Sequence, residues 1–186
     1  TTLLGDPSGA ITQAVALPAA IGDFSLFNRM PSPLPMRVSA YDNVLEDRSA
    51  KETFVAALPA ALNGIIETSS ETDTFRVTVK KGQRWRVAVY ARSLGTPLDP
   101  RLRIQRVGAE AAEIEADDAT LEERGLYAMS RQIQRKEKMD PAVTWEPKED
   151  GDYLVSVADM RGLGDPTSVY RIEVEPARDE VNTYIQ

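Results

Sequence analysis

The sequence predicts an all-β protein, an antiparallel β-sandwich, and three observations lead there. Apolar residues recur at every second position in several separate runs, the pattern of strands with one face buried. Gly, Pro and Asp bound these runs, and those are the residues that turn a chain. Helical spacing is confined to two short intervals.

Taken in order, residues 1–35 read as an N-terminal extension or the end of a preceding domain. Short apolar groups there (Ile11, Val15, Leu17, then Phe24, Leu26, Phe27) are broken by Gly and Pro, and PSPLP at 31–35 holds the chain extended. The start at Thr1, with neither a methionine nor an apolar leader, reads as that of a piece of a longer polypeptide. The domain proper spans 36–176. It opens with MRVSAY, where Met36, Val38 and Ala40 share the face of a strand. LEDRSAKETFVAAL, residues 45–58, predicts a short helix, with Ser49 as cap and Glu52 three residues on.

Alternation then takes over. Phe75, Val77 and Val79 lie on one face, and KKG turns the chain into QRWRVAVYAR, where Trp85, Val87, Val89 and Ala91 share a face; the two runs read as a hairpin. RLRIQ contributes Leu102 and Ile104, and AVTWEP contributes Val143 and Trp145. Both tryptophans align with apolar faces, so they read as core rather than as platforms for sugars. EDGDYLVSVAD and VYRIEV form the last two strands, with Tyr153, Val155, Tyr170 and Ile172 facing inward. The MRGLGDPTS between them reads as a connection, in which Gly162 and Gly164 supply positive φ and Arg161 and Asp165 stay exposed for a partner. Residues 177–186 read as a tail.

The second helical interval is 119–139. Its acids lead, its bases follow, and Leu126, Met129 and Ile133 have helical spacing. This predicts a helical insertion over roughly 120–137 that packs along an edge and adds little stability.

Composition excludes several functions. With no cysteine and no histidine, thiolate nucleophiles, zinc–thiolate clusters and Ser–His–Asp catalysis are impossible, and any metal site must be built from oxygen. A net charge of −7 argues against nucleic acid as a partner, and no run is apolar for long enough to form a membrane span. Asp99, Asp117, Asp118, Asp140, Asp150 and Asp152 all stand at strand ends. Turn chemistry is the reading for each, and a ligand cluster requires several of them to converge.

Together, NGII (63–66), ETDTFRVTVKKGQ (71–83), ARSLGTPLDPRLRI (91–104), ADD (116–118), DPAVTW (140–145), EDGDYLVSVAD (149–159) and VYRIEV (169–174) resemble the bacterial pre-peptidase C-terminal domain, as found in secreted multidomain proteins of planctomycete-like bacteria. The resemblance implies a jelly-roll-like sandwich and a non-catalytic accessory module, secreted or held at the cell surface or in the periplasm. Adhesion, substrate targeting or spacing would be its role. Its partners would be the other domains of its polypeptide, and an extracellular protein or a polysaccharide. The alternative is a calcium-stabilised sandwich that binds collagen-like peptide or polysaccharide. Relatives that bind collagen hold calcium through an E-x-E-x-N-D run and through acids just ahead of D-x-F. Here that implies Glu46, Glu71 and Asp73 as metal ligands, but Arg48 and Ala50 stand where further ligands belong. No cofactor is expected to be required, and calcium is the one ion the resemblance allows. Asp117, Asp118, Arg161 and Asp165 are the candidate contacts for a ligand.

Overall fold

The computed structural model describes residues 2–3, 11–12, 14–27, 33–118 and 140–178. The insertion at 119–139, with its expected helix, and residues 179–186 of the expected tail lie outside the described residues. Strands β1 (Thr2–Leu3) and β2 (Ile11–Thr12) pair with each other. A second antiparallel ribbon is formed by β3 (Gly22–Leu26) and β4 (Leu34–Val38), the latter running across residue 35, where the sequence reading divides the chain. The sandwich follows: β5 (Asp42–Leu45), β6 (Thr53–Phe54), β7 (Ala60–Ile65), β8 (Thr72–Val79), β9 (Trp85–Tyr90), β10 (Pro100–Arg106), β11 (Ile114–Ala116), β12 (Ala142–Trp145), β13 (Gly151–Asp159) and β14 (Val169–Pro176).

Its first sheet has the order β11-β10-β13-β8-β6, and its second β12-β9-β14-β7-β5. Between them lies one core. Phe75, Val77, Trp85, Val87, Val89, Leu102, Trp145, Tyr153, Val155, Tyr170 and Ile172, all expected inside, are all buried there. Each large apolar side chain moved out of water contributes ~1.5–3 kcal/mol, so these faces hold the sheets together. Trp145 and Tyr153 pack edge to face, 5.0 Å between centroids, and both donate to the Glu113 carboxylate at 3.1 Å.

The structure differs from expectation in three places. First, β8 and β9 are not a hairpin. The link over 80–84 crosses from the first sheet to the second, so Phe75 and Val77 face Trp85 and Val87 across the core. Alternation and a glycine turn specify two strands and a reversal, and both arrangements satisfy them. Burial of two apolar faces selects the crossing. Second, the sheets are not wholly antiparallel, because β5 runs parallel to β7 and β6 parallel to β8. From β5 to β10 every strand goes to the opposite sheet; β5 and β7 are neighbours, as are β6 and β8, while β14 lies between β7 and β9 and β13 between β8 and β10.

Third, residues 45–58 are not helical; among the described residues helix is limited to one 3-10 turn, Arg92–Leu94. Asp47 draws Ser49 into a local turn, accepting from its N–H at 3.0 Å and its hydroxyl at 2.6 Å, while Thr53 accepts from the Asp47 N–H at 2.7 Å. Short polar side chains of this kind compete with helical hydrogen bonds. Beyond the turn, Thr53 and Val55 are buried and Phe54 is exposed, the two-residue period of a strand.

Candidate functional site

The three predicted metal ligands come to one end of the sandwich. Asp73 continues the inward row of Phe75 and Val77 on β8, Tyr170 faces it from β14, and Glu46 follows β5. The Tyr170 hydroxyl donates to Asp73 at 2.7 Å. Glu46 accepts from the Ile65 N–H, 3.3 Å from either carboxylate oxygen. Gly64 makes room for this meeting, since a Cβ there would collide with the Tyr170 hydroxyl and the Glu46 carboxylate. Glu71 folds back on its own turn, accepting from the Thr68 N–H at 2.6 Å and hydroxyl at 3.0 Å.

Burial, and then the facing Glu46 carboxyl, push the Asp73 carboxyl up to about 7, against the pull of the Tyr170 hydrogen bond. Burial, and then the Asp73 carboxylate it bonds, push the Tyr170 hydroxyl far above the ordinary phenol range. The Asp73 carboxyl therefore holds a proton readily.

As arranged, these residues do not fit a calcium ion. Calcium takes roughly six to eight oxygens. Each of the three carboxylates already has a protein donor, and the Arg48 guanidinium lies against Glu46 at 2.9 Å and Glu67 at 3.1 Å. A positive group stands where the resemblance places a ligand.

The acids at turns serve the turns. Asp140 accepts from the backbone N–H groups of Ala91, Arg92 and Ser93 at 2.9–3.0 Å, capping the 3-10 turn. Asp159, kept ionised against its burial by N–H groups of Asp99, Arg161 and Leu163, organises the start of the β13–β14 connection. Asp165 accepts from the Thr167 N–H and hydroxyl. Arg161 donates to the Pro97 carbonyl at 2.6 Å. Asp117 and Asp118 are exposed just past β11, and among the described residues no hydrogen bond or ion pair joins them to Arg161 or Asp165. Gly162 has the expected positive φ of 67°. Gly164 does not; it is needed because a Cβ there would strike the Thr68 backbone.

One charged centre escapes the sequence reading. Glu173 sits on the outer face of β14, a polar position in the alternation, yet its side chain is only 1% exposed. The β3–β4 ribbon lays Arg37 over it: the guanidinium holds both Glu173 oxygens, at 2.9 and 2.8 Å, and covers the Tyr90 ring at 4.0 Å. Arg171, two residues earlier on the same face, adds a third bond at 2.9 Å. Despite its burial, the two guanidiniums hold the Glu173 carboxyl below its ordinary value. The R-x-E spacing at 171–173 is the one trace of this in the sequence. Beside the cluster, a groove of about 550 Å³ runs over the second sheet, with Leu45, Ile65, Leu94 and Val169 as its apolar lining and Asn63 and Arg48 among its polar groups.

No protein-family model matches the chain, and no match was found among curated proteins. Among solved structures, the fold is similar to the pre-peptidase C-terminal domain of a collagenase from Bacillus anthracis, at 11% identity and a TM-score of 0.46, over 69% of this chain and 99% of that one. It is also similar to a periplasmic inhibitor of g-type lysozyme from Aeromonas hydrophila (13%, TM-score 0.41, 72% and 99%). A third similar structure is a surface-associated copper-binding protein of Methylomicrobium album (15%, TM-score 0.43, 72% and 100%). The first bears the family name that the sequence resemblance gives.

Proposed function

We propose that this chain is a non-catalytic accessory module of a secreted or surface-held multidomain protein, serving adhesion, targeting or spacing. The observation that carries the reading is the groove on the second sheet. Leu45, 73% exposed, and Val169, 40% exposed, stand beside polar groups already fixed by their own partners, Asn63 donating to Ala61 and Arg48 paired to Glu46 and Glu67. Such a surface receives an extended chain, a peptide or a polysaccharide, by contact area and backbone-type hydrogen bonds, and does no chemistry on it. The acids that sequence alone offers as chemical groups are committed to turns and strand ends, which suits a scaffold.

The test is retention. The chain, fused to a fluorescent reporter, is passed over insoluble extracellular proteins and polysaccharides, beside a variant carrying Leu45→Asp and Val169→Asp. The expected result is retention on at least one matrix, lost in the variant, with no cleavage of the matrix. Cleavage, or equal retention of the variant, overturns the reading.

A further inference from the structure

Three carboxylates, Glu46, Glu67 and Glu71, gather where the turn after β5 and the turn after β7 meet. Glu46 is 11% exposed, and it accepts from the protein's own backbone. A cluster with that much negative charge needs a cation close by, from solution or from the chain. Arg48 supplies one. Its Nε lies 2.9 Å from Glu46 and its Nη1 3.1 Å from Glu67, and Glu71 adds to the field that raises the guanidinium's pKa.

We infer that Arg48 is the built-in counter-cation of this acidic cluster, so that a guanidinium fixed in the chain does the work a dissolved divalent ion would otherwise do. A side chain two residues from Glu46 and planar enough to bridge two carboxylates loses little entropy in the process, whereas an ion must be captured from solution. The fold of this end of the sandwich is then independent of divalent ions.

Thermal unfolding of the full chain tests this, for the wild type, Arg48→Ala and Arg48→Lys, each with chelator, magnesium or millimolar calcium. The wild type should unfold at one temperature in all three. Arg48→Ala should unfold roughly 2–8 °C lower in chelator and recover with calcium, and Arg48→Lys should fall between the two, since the charge is kept but the two-carboxylate bridge is lost. A wild-type rise with calcium overturns the inference, because the ion would then be the working cation. So does an Arg48→Ala variant as stable as the wild type, or one that calcium leaves unmoved. Should Arg48→Ala not fold at all, Arg48→Lys decides: a folded, calcium-indifferent protein supports the inference, and an unfolded one overturns it.

Discussion

Asp73 and Glu173 are two carboxyls of the same sandwich, each tied to β14, with opposite fates. Glu173 is the more deeply buried, its side chain 1% exposed, yet it stays ionised; Asp73 is only half-buried and is pushed up to about 7. Burial alone would rank them the other way. The difference lies in what faces them. Two guanidiniums converge on Glu173, while Asp73 meets a second carboxyl and a neutral phenol. Compensation by opposite charge, and not depth, decides which carboxyl keeps its charge.

Removing Glu173 is the harshest way to break the comparison. Glu173→Ala takes from Arg37 and Arg171 the buried carboxylate they share, leaving Arg37 with Asp23 and Arg171 with Asn43, Asn63 and Ser39, and should cost about 3–5 kcal/mol in urea unfolding. A cost under about 1 kcal/mol would mean that water already solvates the pair. Closing the gap at Gly64 comes next. Gly64→Ala drives a methyl into the Tyr170 hydroxyl and Glu46, and should cost about 1–3 kcal/mol.

The gentlest change has the opposite sign. The folded state binds a proton at Asp73 more tightly than the unfolded chain, whose value is near 3.8. Its contribution is therefore full below that pH and is lost as pH rises through about 7. Asp73→Asn should unfold at a higher temperature than the wild type at pH 8, and the two should converge near pH 4. Glu173 acts in reverse: its carboxyl lies below the ordinary 4.5, so its contribution holds above that value and fades as pH falls through the folded one. A wild type whose stability is flat from pH 5 to 8 would contradict the Asp73 half.

Much of the sandwich was legible in the sequence because burial imposes a two-residue period, and Phe75, Trp85 and Tyr153 could satisfy it on one face only. The partners of those strands were not legible. A turn such as 80–84 closes a hairpin or crosses between sheets with the same residues, and only the packed core distinguishes them. The turn at 46–52 misled for a related reason: Ser49 and Glu52 have the spacing of a helix start, but Asp47 captures Ser49 first. Of the candidate site, Glu46 and Asp73 do meet, although no local pattern shows that a carboxyl and a phenol 97 residues apart, Asp73 and Tyr170, share a hydrogen bond. Glu173 was invisible because an outward polar position becomes buried only when Arg37, 136 residues earlier, lies across it.

The most direct measurement is a carboxyl-carbon NMR titration of the folded protein that follows Asp73 and Glu173 together. Compensation by charge predicts Asp73 titrating near pH 7 and Glu173 below its ordinary 4.5, the more buried group being the stronger acid. Asp73 titrating below Glu173 would contradict the account.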